Sequence, residues 1–102
     1  MQEKLEEIVI RYEQLQQKAA DPAVVQDRNV YRETMKALSD LDEVVQKYRE
    51  WKDVDKNLRE TKELLSTLKS DDELRELAEM EAAELEERLP ALDLEIRILL
   101  QP

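Results

Sequence analysis

The chain has no glycine, cysteine, histidine or phenylalanine. Each absence closes off a kind of chemistry. Without Cys or His there is no thiolate or imidazole for nucleophilic attack, general base catalysis or a zinc site. Without Gly, no phosphate-cradling loop of the usual kind can form. Carboxylates remain able to bind Ca²⁺ or Mg²⁺, but they need a liganding loop with a tight turn and suitable spacing, and the sequence offers neither. Sheets draw on β-branched and aromatic residues and on turn glycines; three Tyr and one Trp are the only aromatics. No apolar run approaches the length of a membrane span. The opening Met1-Gln2-Glu3-Lys4-Leu5-Glu6-Glu7 is too acidic for a signal or transit peptide. The expectation is a soluble cytoplasmic protein without catalytic residues, cofactor or metal, and without a membrane partner.

What is present points to helices. Of 102 residues, 41% are charged and 41% apolar, a balance rich in Leu, Glu, Lys, Arg and Ala that suits long helices or a coiled coil. The length suits a single domain. The net charge of −10 argues against DNA, or any nucleic acid, as a partner for the surface as a whole. The charge is also polarised. Residues 70–102 hold eleven acids against three bases, so eight of the ten excess negative charges lie in the last third.

Apolar spacing divides the chain into three long helices. Leu5, Ile8, Val9, Tyr12, Leu15 and Ala19 recur at threes and fours, which predicts a helix over about 2–19. Ala20-Asp21-Pro22 ends it, because a residue before Pro disfavours helical backbone. Pro22 then opens a short turn through Val24 and Val25, and Asp27 is placed to N-cap the next helix. That helix runs from Arg28 or Asn29 to about Leu68, roughly 60 Å at about 1.5 Å per residue. Its apolar series is Tyr31, Met35, Leu38, Leu41, Val45, Tyr48, Trp51, Val54, Leu58, Leu65 and Leu68, with Thr61 in one slot. Tyr48, Trp51 and Val54 step by three twice, which turns the apolar face by well over a right angle between Leu41 and Val54 and points to a change of packing partner near Tyr48. Ser70-Asp71-Asp72-Glu73 reads as a capping box with Ser70 at N-cap. The third helix follows, over about 71–100, with Leu74, Leu77, Ala78, Ala82, Leu85, Leu89, Leu92, Ile96 and Leu99. Pro90 inside it predicts a kink or a restart.

Helix lengths suggest an all-α architecture: an elongated antiparallel bundle of three helices with a protruding two-helix coiled-coil arm. The short connection between the second and third helices forces a hairpin. The first helix is long enough to cover the second only to about Tyr48. The expectation is therefore a bundle of residues 2–19, 29–48 and roughly 86–100, and an arm of residues 50–85.

Few residues stand out as a site. Arg49, Lys52, Lys56 and Arg59, at i, i+3, i+7 and i+10, share one stripe opposite Val54, Leu58 and Leu65. Such a row can track an RNA backbone. Helix surfaces are usually built this way, however, as an ordinary solvated face with intrahelical partners such as Asp53, Asp55, Glu60 and Glu63. The acidic run Glu79 to Glu87 either attracts a basic protein surface or is a solvated face. Asp71-Asp72 and Glu86-Glu87 are weak signals for metal or acid–base chemistry, because neighbours on a helix diverge by about 100°. Trp51 reads as core at the junction of bundle and arm rather than as a binding platform.

Several segments, in order, carry a family resemblance: Arg11-Tyr12-Glu13, Asp21-Pro22-Ala23-Val24-Val25-Gln26-Asp27, Tyr31-Arg32-Glu33 and Tyr48-Arg49-Glu50-Trp51. They continue through Asp72-Glu73-Leu74-Arg75-Glu76-Leu77-Ala78 and Leu85-Glu86-Glu87-Arg88-Leu89-Pro90, closing on Ile98-Leu99-Leu100-Gln101-Pro102, where the family usually has a third Leu before Pro. From end to end the chain resembles the N-terminal helical domain of the bacterial release factor 1 family, the class I factors for the stop codons UAA and UAG. The sister factors for UGA tend to carry a Phe-Trp-Asp segment here, which a chain without Phe lacks. The resemblance implies a translation termination factor directing peptidyl-tRNA hydrolysis. It also implies that this domain lies toward the stalk base of the large ribosomal subunit and assists placement. The family's catalytic Gly-Gly-Gln loop and its Pro-x-Thr type codon-reading tripeptide are both missing, so the resemblance implies a fragment or isolated domain. A free-standing coiled-coil or spectrin-like scaffold or adaptor is the alternative, although spectrin-like repeats have a first helix as long as the others. A holdase chaperone would expose apolar surface at the tip, where this chain has Thr67-Leu68-Lys69-Ser70-Asp71-Asp72.

Overall fold

A computed structural model describes all residues, Met1–Pro102. The chain is all-helical: α1 (Gln2–Ala20), α2 (Pro22–Gln26), α3 (Arg28–Thr67) and α4 (Glu73–Leu99). It divides into two compact units, Met1–Gln46 and Lys47–Pro102, and α3 contributes to both. No residue has a positive φ, as suits a chain without glycine, for which left-handed backbone is costly.

In the first unit, the turn after α1 is itself helical. Asp21 has extended backbone (φ −70°, ψ 122°), the conformation Pro22 imposes on its predecessor. Its carboxylate accepts from the Ala23 N–H at 3.0 Å, so one residue ends α1 and caps α2, with Pro22 at the first helical position. Asp27 caps α3 as its sequence position suggests, accepting from Val30 N–H at 3.2 Å. The unit buries Leu5, Tyr12 and Leu15 of α1 and Thr34, Val44 and Val45 of α3. Tyr31 and Met35, assigned to the core face from their spacing, are exposed. Thr34 takes the buried position instead, and Met35, one residue on, is turned about 100° from it. Burial of the Thr34 hydroxyl is affordable because it donates to the Val30 carbonyl at 2.7 Å. Tyr12 combines a buried ring with a satisfied hydroxyl, which donates to Asp42 Oδ1 at 2.7 Å.

In the second unit, the buried positions are Tyr48, Val54, Leu58 and Thr61 on α3 and Ala78, Ala82, Leu92 and Ile96 on α4. The buried stripe of α3 changes side between Tyr48 and Val54, a rotation on the order of 120° at 100° per residue. Leu92 and Ile96, one turn apart, have no exposure at all. Each stabilises the fold by about 1.5–3 kcal/mol through apolar burial. α4 is unbroken through Pro90; the helix does not restart there, although Pro90 has no N–H to give to the preceding turn.

Two sequence assignments in α4 are corrected. The N-cap is Asp72, not Ser70: the Asp72 carboxylate accepts from Leu74 N–H at 2.9 Å and the helix begins at Glu73. An ionised acceptor at the positive helix end is the stronger cap. Leu74 and Leu77 are 56% and 64% exposed: Leu77 is turned about 100° from the buried Ala78, and Leu74 lies one turn before Ala78, the first buried residue of α4.

Candidate interaction surface

The basic stripe lies on α3, which is helical throughout these positions, so its spacing places all four cations on one side. Arg49, Lys52, Lys56 and Arg59 are all exposed, while Val54, Leu58 and Thr61 are buried on the other side. Two of the four pair along the helix: Arg59 Nε lies 3.3 Å from Asp55 Oδ2, and Lys56 Nζ 4.0 Å from Glu60 Oε1. Lys52 Nζ lies 5.3 Å from the centre of the Tyr48 ring, a cation–π distance. The Tyr48 ring in turn stacks on Trp51, with centroids 6.2 Å apart and planes at 21°. Trp51 is half-buried.

The strongest electrostatic feature is one that helix periodicity cannot show. Arg88 on α4 directs Nε and Nη2 at Glu50 Oε2 of α3, at 2.9 and 2.8 Å. Its Nη1 lies 3.5 Å from Glu95 Oε1, and Glu95 Oε2 lies 3.2 Å from Lys47 Nζ. Alternating charges thus run Glu50–Arg88–Glu95–Lys47 between the two helices. Hydrogen bonding to Glu50 pushes Arg88 above its ordinary pKa. The Lys47 ammonium 3.2 Å away, helped by the charge of Arg88, holds Glu95 below the usual carboxylate value against the opposing effect of desolvation. Glu95 is charged more readily in the folded state, so its contribution is complete above its ordinary value of 4.5 and is lost as pH falls through the lower folded value. Glu95→Gln should flatten the acid side of the stability profile. Thermal melts between about pH 3 and 7 would check this, and an unchanged acid limb would exclude Glu95 as its source.

The end of α3 shows a second device that the sequence did not reveal. A helix without a C-terminal glycine leaves its last carbonyls unsatisfied. Here Arg75 of α4 donates from Nη1 to the carbonyls of Leu65 and Leu68, at 3.2 and 3.0 Å. Its Nε meanwhile pairs with Glu79 at 2.9 Å. Thr67 Oγ1 donates to the Leu64 carbonyl at 2.7 Å. A cation at the negative end of the helix dipole is favourable in its own right.

The acidic face of α4 keeps little of its charge neutralised. Glu79 and Glu86 pair with Arg75 and Lys62. Glu73, Glu76, Glu81, Glu84 and Glu87 are exposed and form no ion pair. Asp71-Asp72 and Glu86-Glu87 do not build a cation cage: no group of three or more acidic side chains is placed to hold a metal ion. No helix is long and apolar enough to cross a membrane. What the surface offers is contact: a basic stripe on one helix, and an acidic face with exposed apolar residues on the other.

Comparison with known proteins bears on what is contacted. Residues 8–102 match the PCRF domain. The chain is 46% identical over 102 residues to a peptide chain release factor 1 from Clostridioides difficile, covering 100% of this chain and 28% of that protein. It is 41% identical over 102 residues to the protein of the same name from Alkaliphilus oremlandii (100% and 29%), and 44% identical over 99 residues to that from Lactobacillus gasseri (97% and 27%). The chain therefore spans somewhat over a quarter of the length of these relatives. No solved structure matches it.

Proposed function

The chain belongs to the PCRF domain family, and on that footing we propose that it is the ribosome-placement domain of a bacterial translation termination factor. The single observation that carries this reading is the alignment with release factor 1 proteins along the whole chain. A free-standing spectrin-like scaffold has no comparable support. In this reading the complete factor acts in the cytoplasm, recognises UAA and UAG, and directs peptidyl-tRNA hydrolysis. The helical domain contributes position, toward the stalk base of the large subunit, and leaves the chemistry to other parts of the factor. The residue inventory supports that division of labour. A chain with no Gly cannot form a Gly-Gly-Gln loop, and without His or Cys it has neither an imidazole nor a thiolate to offer in its place.

A domain that only positions the factor contributes binding energy shared by ground state and transition state. Removing it should raise the factor concentration needed for half-maximal peptide release by about ten-fold or more and leave the saturated rate within a few-fold. The measurement compares release from termination complexes by a release factor with and without this domain. Added alone, residues 1–102 should give no release above the no-factor background. A collapse of the saturated rate at unchanged half-saturation would assign the domain a chemical role. Equality of both parameters would remove it from ribosome placement.

A further inference from the structure

Three residues at the start of α4 are apolar and open to solvent: Leu74 is 56% exposed, Leu77 64% and Met80 57%. They follow one another at i+3, and so form a continuous ridge on the helix surface. Glutamates flank the ridge one turn on either side. Glu73 and Glu81 stand four residues from Leu77, and Glu76 and Glu84 four residues from Met80. All four are exposed and without an ion-pair partner. The three bases of residues 70–102 do not offset them, because each is engaged elsewhere: Arg75 with Glu79 and the end of α3, Arg88 with Glu50 and Glu95, Arg97 with Asp93.

Contiguous exposed apolar surface with a polar rim marks interaction sites, and the charge of the rim selects the occupant. RNA and anionic lipid are repelled. A second copy of this chain docking on the same face would set glutamates against glutamates. We propose that the Leu74–Leu77–Met80 ridge docks onto a protein face of the large ribosomal subunit that has an apolar centre and a rim of Lys and Arg. The inference rests on the ribosome-placement reading and supplies its contact. Apolar burial at Leu77 and Met80 provides affinity, and the unpaired glutamates provide orientation and on-rate.

The test titrates residues 1–102, fluorescently labelled at the N-terminus, with isolated large subunits and, separately, with the RNA of those subunits stripped of protein. Subunits should bind and stripped RNA should not. Leu77→Ala with Met80→Ala should weaken subunit binding by about ten-fold or more, because truncating buried interface anchors costs most. Glu81→Gln with Glu84→Gln should weaken binding and reduce its dependence on salt. Ala is the best helix former, and circular dichroism should show both variants as helical as the parent. Variants that bind within about two-fold of the parent overturn the docking ridge and leave ribosome placement standing. Stripped RNA that binds as tightly as subunits overturns the partner's chemistry and again leaves placement standing. Failure of the unaltered chain to bind subunits overturns the placement reading, and the docking ridge with it.

Discussion

Leu92→Ala should unfold this chain as readily as any single truncation of an aliphatic side chain. Leu92 has no exposure, and its neighbour on the same face, Ile96, has none either. A thin helical core has little material to collapse into the space left behind, so the cost falls in the ~2–5 kcal/mol range for buried Leu→Ala changes. A domain of this size holds about 5–15 kcal/mol in total. At roughly 4–8 °C per kcal/mol, a loss of about 3 kcal/mol lowers the melting temperature by about 12–24 °C. The control lies two residues away. Leu94 is 59% exposed, and Leu94→Ala should stay within about 0.5 kcal/mol. Helicity followed against temperature distinguishes the two. Equal melting temperatures would mean that the buried face of α4 has been assigned to the wrong side.

Pro90→Ala should act in the opposite direction. Pro90 stands inside the 27-residue α4, which stays helical on both sides of it. In a helix interior Pro is less favourable than Ala by about 3 kcal/mol, through the missing N–H and the clash of its ring with the preceding turn. Part of that gain is returned, because Ala frees the unfolded chain by about 0.4–1 kcal/mol. The difference leaves a stabilisation of about 2 kcal/mol, visible as a higher melting temperature and a higher denaturant midpoint at unchanged slope. A lower melting temperature would show instead that the ring sets the course of α4, and that without it Leu92 and Ile96 no longer reach their buried positions.

What could be read from the sequence was whatever depends on one helix at a time. The end of α1 and the start of α3 were legible because Pro22 and Asp27 act on their own neighbours. The basic stripe was legible because i, i+3, i+7 and i+10 lie on one side of any helix. Periodicity also located the turn of the buried stripe after Tyr48. It could not choose between the two flanks of a stripe, so Tyr31, Met35, Leu74 and Leu77 were placed in a core from which they are absent. Nor could hydropathy find Thr34, whose burial depends on a hydrogen bond to its own helix. The Lys47–Glu95–Arg88–Glu50 network and the Arg75 cap depend on the register between α3 and α4. No spacing within either helix encodes that register. The candidate surface was half visible: the acidic run was plain, but the exposed ridge beside it lay among residues that looked like core.

Trp51 is the only indole in the chain, so all tryptophan emission comes from one place, the middle of α3. Trp51 stacks on Tyr48 and is half-buried, so its emission is that of an indole partly shielded from water for as long as the packing around it is intact. A red shift of that emission would signal that α3 has lost its packing at Trp51, four residues past Lys47, where the second unit begins. The domain thus carries its own optical gauge, readable without any label.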